Sequence, residues 1–188
     1  MKVTKTDLEG VLLIEPRRFG DDRGHFAETW NLERYRKHDM PEAFVQDNVS
    51  YSKRGVLRGL HLQNPGSQTK LVEVLWGEAF DVVVDVRADS PTFRRWIGYR
   101  LSGENGRQLY VPAGYAHGFC VTGASALFAY KCSNYYDPSV EITVRWDDPD
   151  LAIAWPVAAP IVSEKDRAAP LLRDVDPRRL PRRAEGRA

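Results

Sequence analysis

Four histidines are the residues of this sequence best suited to acid–base or metal chemistry, and they are His25, His38, His61 and His117. An unperturbed imidazole has a pKa of about 6.5, so it takes up and releases protons near neutral pH, and its neutral form binds metals. His38 lies in a charged stretch typical of a solvated surface, and we assign no role to His25. A functional site can therefore be built from His61 and His117.

His61 lies in residues 55–63, a segment that predicts a β-strand. Alternate side chains of a strand share a face, so His61 lies on the same face as Gly59 and Gln63. A histidine and a glutamine beside a glycine indicate a polar pocket with room for a ligand. The alternative is a core histidine whose ring nitrogens are satisfied by hydrogen bonds.

The spacing of Pro112, Gly114 and His117 resembles the second motif of the cupin double-stranded β-helix, which places a histidine at the mouth of a β-barrel. Many cupins bind a metal there, and a metal site would need a His-x-His pair and a glutamate on the preceding strands. That pair would be His61 and Gln63, so the second histidine is missing. The sequence therefore speaks against a metal site and leaves its polar groups for acid–base chemistry.

The elements that must position these groups are short strands separated by turn-forming residues, a pattern typical of a β-sandwich or small barrel. Only one helix is predicted, over residues 27–39, and Gly77 is expected at a turn between two strands. The predicted strands are 10–16, 43–52, 55–63, 69–77, 78–87, 94–102, 106–112, 117–121, 126–136 and 141–146.

Length and composition place these elements in a soluble protein. The chain has 188 residues, 43% of them hydrophobic, and a formal net charge of +1. That balance gives no reason to expect binding to nucleic acid, and no apolar run reaches the ~20 residues of a membrane span. Two cysteines do not make a disulfide framework, so we expect a cytoplasmic protein. One domain is expected over residues 1–170, followed by a frayed Arg- and Pro-rich tail without apolar anchors over residues 171–188.

Seven stretches, in order along residues 8–167, resemble the dTDP-4-dehydrorhamnose 3,5-epimerase family of cupins. They are DDRGHFAETW, QDNVSYSKRGVLRGLHLQ, KLVEVLWGEAFDVVVDVR, SPTF, LYVPAGYAHGF, YKCSNYYDP and SEKDR. The resemblance implies an all-β, cupin-like double-stranded β-helix, or jelly-roll barrel, with a few short helices. It implies a homodimer that needs neither cofactor nor metal. The implied reaction is epimerisation of dTDP-4-dehydro-6-deoxy-D-glucose at C3 and C5 to dTDP-4-dehydro-L-rhamnose.

The resemblance also implies residue roles. His61 resembles the catalytic base, Asp166 the carboxylate that orients it, Tyr130 the general acid on the opposite face of the sugar, and Lys70 the group that steadies the enolate oxygen. The substrate-binding positions implied in the same way are Arg23, Glu28, Gln46, Asn48, Arg58, His117, Tyr136, Glu141 and Lys165.

The sequence departs from the family pattern at residues 62–70, and the spacing of Arg58 and His61 does not fit a regular strand. Leu62 stands where the family often has Tyr or Phe, and the link from His61 to Lys70 is one residue shorter than in some members, which weakens the Lys70 assignment most. Arg58 and His61 are an odd number of residues apart and should face opposite ways in a regular strand. A β-bulge would bring them together; we favour instead a dimer in which Arg58 serves the neighbour's pocket or the interface.

Several other functions remain open at this point. A relative that epimerises only C3 or only C5 would retain His61, Asp166 and Tyr130. A 3,4-ketoisomerase would retain a base histidine. A binding module would hold the sugar nucleotide without turnover, and a dioxygenase would need iron.

Overall fold

The computed structural model describes residues 1–40 and 43–183, and its regular structure is almost all β-strand. The described strands are β1 (Lys2–Lys5), β2 (Leu12–Glu15), β3 (Arg18–Asp21), β4 (Gly24–Ala27), β5 (Gln46–Lys53), β6 (Leu57–Gln63), β7 (Lys70–Asp85), β8 (Trp96–Ser102), β9 (Gln108–Val111), β10 (Tyr115–Cys132) and β11 (Glu141–Thr143). Two short helices, α1 (Leu32–Arg36) and α2 (Glu164–Arg167), and a 3₁₀ turn at Leu172–Asp174 accompany them. The prediction of an all-β fold with a few short helices is confirmed.

Two long antiparallel strands, β7 and β10, organise the barrel. The sheet runs in the order β1-β2-β9-β7-β10-β6-β11, with β5 added beside β10 and β8 beside β7. The first part of β7 pairs with β9 and its later part with β8, while β10 pairs first with β6 and then with β5. Each long strand therefore belongs to both halves of the sheet, which curls around a central cavity.

The predicted turn at Gly77 is wrong, because β7 runs through this position without ending. The β7–β10 register shifts between Val121 and Ala126, which marks an irregularity that bends the pair. Gly77 has φ of 77°, and a Cβ there would collide with the carbonyl oxygen of Ser125. The glycine therefore marks a bend within one strand. The predicted strands 117–121 and 126–136 likewise form the single strand β10.

Both faces of the later part of β7 are buried, in two different cores. Val83 packs in one cluster with Leu109 and Phe128, whereas Val82 and Val84 pack in another. This alternation agrees with the period-two pattern of the sequence. Since Val83 lies on the side that lines the interior, the neighbouring odd-numbered positions of β7 also face inward.

The helix predicted over residues 27–39 is shorter than expected. Residues up to Ala27 belong to the β3–β4 hairpin, so α1 starts only at Leu32. The Asn31 side chain accepts a hydrogen bond from the Arg34 N–H and caps the helix.

The expectation of a frayed tail is wrong for residues 171–183. Leu172, Val175 and Leu180 are buried in the same core as Val82. The Ala88 N–H also donates to the Pro181 carbonyl at 2.9 Å. Residues 184–188 of the predicted tail lie outside the described residues. Within the described part of the chain, no helix has the length and apolar character to cross a membrane.

Candidate active site

A cavity of about 600 Å³ opens between the two halves of the barrel. Its wall combines side chains from β5, β6, β7 and β10 with others from β11 and the α2 region. The predicted site residues that line it are Gln46, Asn48, Arg58, His61, Lys70, His117, Tyr130, Tyr136, Glu141, Lys165 and Asp166. Residues far apart in sequence, on six elements, therefore converge where the resemblance placed the chemistry.

His61 and Asp166 form a hydrogen-bonded pair at one wall of the cavity, with 2.6 Å between His61 Nε2 and Asp166 Oδ1. The Asp166 side chain is buried, whereas 27% of the His61 side chain is accessible. A carboxylate acceptor at Nε2 fixes the ring proton there. Nδ1 is then the nitrogen that can accept a proton from a ligand.

The backbone holds Asp166 in place and keeps it ionised. Ser163 caps α2 by accepting from the Asp166 N–H, and the Gly59 N–H donates to Asp166 Oδ2 at 3.4 Å. Burial acts to raise the pKa of Asp166, but the hydrogen bond with His61 and the attraction between the two outweigh it, so that pKa lies below its ordinary value. Asp166 therefore stays an anion behind the imidazole at neutral pH.

Tyr130 and Lys70 lie together on another wall: Tyr130 is on the part of β10 that pairs with β5 and β7, and Lys70 is the first residue of β7. Lys70 is opposite Cys132 in the register, and its Nζ is 5.9 Å from the centroid of the Tyr130 ring. Burial raises the pKa of Tyr130, so the phenol stays protonated, and burial lowers the pKa of Lys70. Among the described residues, neither the Tyr130 hydroxyl nor the Lys70 ammonium has a hydrogen-bond partner. Both groups can therefore turn to a ligand.

Strand β5 supplies a row of polar side chains at alternate positions, Gln46, Asn48 and Ser50, all lining the cavity. Gln46 donates to Asn48 Oδ1 at 3.0 Å, and Asn48 donates to Cys132 Sγ at 3.7 Å. The Ser50 hydroxyl is the only buried side-chain polar atom of the described residues without a partner. Because buried polar groups are nearly always hydrogen-bonded, a bound ligand is the natural partner for Ser50.

Arg58 lines the same cavity as His61, so the expectation that it serves the neighbour's pocket is wrong. The β6–β10 register pairs His117 with His61 but Phe119 with Arg58, so β6 carries one extra residue between them. This irregularity reverses the alternation and brings both side chains to one face. Arg58 Nε donates to Ser52 Oγ at 3.2 Å, which orients the guanidinium.

His117 is buried against Asp81, with Nε2 2.9 Å from Asp81 Oδ2 and 3.1 Å from Oδ1. Asp81 is fully buried, and burial raises its pKa in spite of the attraction of His117. Of the two side chains, His117 lines the cavity and Asp81 does not. His117 is thus held more firmly and is less accessible than His61.

The rim of the cavity carries Tyr136, Glu141 and Lys165. Lys165 Nζ lies 2.8 Å from Glu141 Oε2, and the Tyr136 hydroxyl donates to the same oxygen at 3.1 Å. Tyr136 and the Lys165 side chain are about half exposed. Tyr136 and Lys165 are therefore more accessible than His61, whereas the Glu141 side chain, which is 15% exposed, is less accessible.

Arg23 and Glu28 do not reach this cavity. Arg23 lies at the tip of the β3–β4 hairpin and pairs with Asp21 at 2.5 Å, with 89% of its side chain exposed. Glu28 follows the hairpin and pairs with Arg34 at 3.2 Å. The structure therefore separates these two predicted substrate-binding residues from the other predicted site residues.

Sequence reasoning missed Ser50 and Gln68, which also line the cavity. Ser50 continues the alternation of Gln46 and Asn48, and this signal could have identified it. Gln68 follows the turn after β6 and has no comparable pattern. Within residues 1–40 and 43–183, no three histidine, cysteine or acidic side chains are grouped as a metal would require.

Comparisons with known proteins show the family of this chain. The family model of dTDP-4-dehydrorhamnose 3,5-epimerase matches residues 5–174. The dTDP-4-dehydrorhamnose 3,5-epimerase of Pseudomonas aeruginosa is 50% identical, over 94% of this chain and 98% of the relative. A dTDP-4-dehydrorhamnose 3-epimerase of Streptomyces niveus is 40% identical, over 92% of this chain and 84% of the relative.

The fold also matches that of a solved structure. The crystal structure of dTDP-6-deoxy-D-glucose-3,5-epimerase from Legionella pneumophila, in complex with dTDP-4-keto-L-rhamnose, superposes with a TM-score of 0.95. The identity is 49%, and the match covers 97% of this chain and 98% of the other. The barrel is therefore cupin-like, and this chain belongs to the dTDP-4-dehydrorhamnose 3,5-epimerase family.

Proposed function

We propose that this protein epimerises dTDP-4-dehydro-6-deoxy-D-glucose at C3 and C5 to dTDP-4-dehydro-L-rhamnose. The observation that carries the proposal is one cavity that joins an ionised Asp166 behind His61 with a protonated Tyr130 and a buried Lys70 on another wall. This set meets the needs of a proton transfer beside a ketone: a base, an acid and a cation for the enolate. The family membership supports the same reaction.

His61 acts as the base. The C4 ketone of the substrate acidifies the protons at C3 and C5, and Nδ1 of His61 removes them. Asp166 stabilises the imidazolium that forms, because its carboxylate lies 2.6 Å from Nε2. A positioned acid–base pair of this kind contributes about 10²–10⁴-fold to the rate.

Tyr130 and Lys70 complete the reaction. The ammonium of Lys70 faces the oxygen of the enolate, and such a donor is worth about 2.7–4 kcal/mol of transition-state stabilisation. Tyr130 then delivers a proton to the carbon from the face opposite His61, which inverts its configuration. Since burial keeps the phenol protonated, it is available as the acid at neutral pH.

The remaining groups bind the substrate. Arg58, oriented by Ser52, pairs with the diphosphate, for which a guanidinium is well suited. Gln46, Asn48 and Ser50 contact the inner part of the substrate from β5. His117 supports the inner end of the cavity. Tyr136, Glu141 and Lys165, at the rim, hold its nucleotide end.

We infer that the active form is a homodimer. The β3–β4 hairpin exposes 52% of Phe19 and 69% of Phe26 beside Arg23, and the outer face of the barrel exposes 71% of Trp76. A second copy would cover these apolar side chains and bring Arg23 and Glu28 to the cavity of its partner. Light scattering of the protein as it elutes from a size-exclusion column measures its molar mass. Twice the chain mass of 21.4 kDa is expected, and the mass of a monomer would refute the inference.

We place the protein in the cytoplasm, where thiols remain reduced. Cys120 and Cys132 are both free and buried, which supports a reducing compartment.

The reaction is tested by incubating the protein with dTDP-4-dehydro-6-deoxyglucose in D₂O and following C3 and C5 by NMR. Deuterium at both carbons and an L-sugar after chemical reduction are expected. Deuterium at a single carbon would reassign the protein to a mono-epimerase, the activity for which the Streptomyces niveus relative is named. Binding of dTDP with no exchange at either carbon would reduce it to a binding module.

A further inference from the structure

The C-terminal segment, residues 170–183, is rich in arginine and proline, yet it follows the barrel closely. Leu172 and Leu180 are buried, and the Leu172 N–H donates to Asp148 Oδ2 at 2.7 Å. At the far end, the Arg183 N–H donates to Asp89 at 2.7 Å. The segment is therefore anchored on both sides of Arg179.

Arg179 reaches the edge of the sheet at β11. This edge strand has only three residues and pairs with β6. Leu60 and Val144 exchange both backbone hydrogen bonds, at 3.1 and 2.9 Å. Hydrogen-bonded pairs alternate with non-hydrogen-bonded pairs in an antiparallel ladder, and Glu141 is three positions before Val144. The Glu141 carbonyl therefore points away from β6, towards the open edge.

The Arg179 guanidinium fills this open edge: its Nη2 donates to the Glu141 carbonyl at 3.1 Å. The Arg179 carbonyl in turn accepts from Asn64 Nδ2, 2.8 Å away, directly after the end of β6. One residue thus ties together the ends of the strands that carry His61 and Glu141.

We propose that the C-terminal segment contributes to the substrate site and that Arg179 is a positioning residue for Glu141. By holding the backbone of this edge residue, it fixes the carboxylate that organises Tyr136 and Lys165 at the rim. The inference rests on the proposed function, since it assigns these rim groups to the nucleotide end of the substrate.

A matched control lies next to it. Arg178 carries the same charge in the same segment, but its side chain is 90% exposed and, within the described part of the chain, pairs only with Asp176 of its own turn, at 2.7 Å. Comparison of Arg179→Ala with Arg178→Ala separates the contact with Glu141 from a change in net charge. Arg179→Lys retains a cationic donor at the same place.

The test measures kcat and KM for the sugar nucleotide, the dissociation constant of dTDP by calorimetry, and the melting temperature. Loss of a hydrogen bond from a charged donor predicts a rise of about fivefold in both KM and the dissociation constant for Arg179→Ala, with kcat within about twofold. Arg178→Ala and Arg179→Lys should stay within about twofold of wild type. In a Glu141→Gln background, Arg179→Ala should add no further loss, since the group it positions is already gone.

Four results would overturn the proposal. The first three are unchanged affinity in Arg179→Ala, an equal shift in Arg178→Ala, and a full additional loss in the Glu141→Gln background. A fall in melting temperature and kcat together, without a change in affinity, would show a purely structural role and would also overturn it. The dTDP measurement keeps the two proposals distinct. A wild-type protein without turnover would refute the epimerase function, while the effect of Arg179 on dTDP affinity would still be measured.

Discussion

Replacement of Asp166 by asparagine removes one negative charge and almost no volume. Asp166 is buried and lies 2.6 Å from His61 Nε2, so the substitution leaves the shape of the site intact. The base then loses the anion that stabilises its protonated form. We expect the chemical step to suffer and substrate affinity to remain.

The size of the effect follows from the geometry. Two unit charges whose centres are about 4 Å apart attract each other by about 4 kcal/mol at the effective dielectric of a partly exposed site. In the proposed reaction His61 gains its positive charge from the substrate proton, so this attraction acts on the transition state and intermediate. A loss of about 4 kcal/mol corresponds to a fall in kcat of about 10³-fold.

The assay compares kcat and dTDP affinity in wild type, Asp166→Asn and a control, Asp148→Asn. Asp148 is also buried and also accepts backbone N–H groups, from Leu172 and Asp150, but it lies outside the cavity. The control should lose stability and retain kcat at temperatures where it is folded. A kcat for Asp166→Asn within tenfold of wild type would refute the role assigned to the carboxylate.

Three other substitutions and one pH profile test the remaining assignments. Tyr130→Phe should weaken epimerisation more than proton exchange, because proton removal survives loss of the acid; an equal fall in both rates by NMR would assign Tyr130 to proton removal as well. Lys70→Met should lower kcat by about 10²–10³-fold with a small change in dTDP affinity, and a purely affinity-based loss in steady-state kinetics would contradict the enolate role. Ser50→Ala should lower kcat/KM by about fivefold without loss of thermal stability, since the hydroxyl has no partner in the protein; a lower melting temperature would count against a ligand-facing role. The folded pKa of Asp166 lies below its unfolded value of about 3.9, so the ionised carboxylate stabilises the folded protein above that pH. This stabilisation is lost as the pH falls through the folded pKa. The stability difference between wild type and Asp166→Asn should therefore shrink below about pH 4 in denaturant titrations.

Much of the site could be predicted because the alternation of side chains along a strand and the order of the family motifs can be read from the sequence. Gln46 and Asn48, which the resemblance places at the substrate, both line the cavity, and their alternation extends to Ser50, which the sequence reasoning overlooked. His61 faces the cavity as the strand pattern of residues 55–63 predicts. These features depend on local periodicity, which a single sequence displays directly.

The errors arose where the local pattern is broken by partner strands. The irregularity that brings Arg58 beside His61 is a property of the β6–β10 pairing. Its local signal in the sequence is Gly59, which lies between the two residues with a φ of 127°, and glycine within a strand often marks a bulge. Gly77 was assigned to a turn because glycine favours turns, whereas the close approach of Ser125 requires it within a strand. The packing of Leu180 depends on a core built by distant strands, so a lone leucine among arginines and prolines gave no signal.

The central claim is that His61 removes the proton, and the most direct measurement is deuterium exchange at C3 and C5 in His61→Ala beside wild type. Both proteins should bind dTDP with dissociation constants within about twofold, because the proposed mechanism assigns His61 to the sugar and not to the nucleotide. The account predicts exchange at both carbons in wild type and at neither in His61→Ala. Substantial exchange retained by His61→Ala would contradict it and would assign proton removal to another group of the cavity.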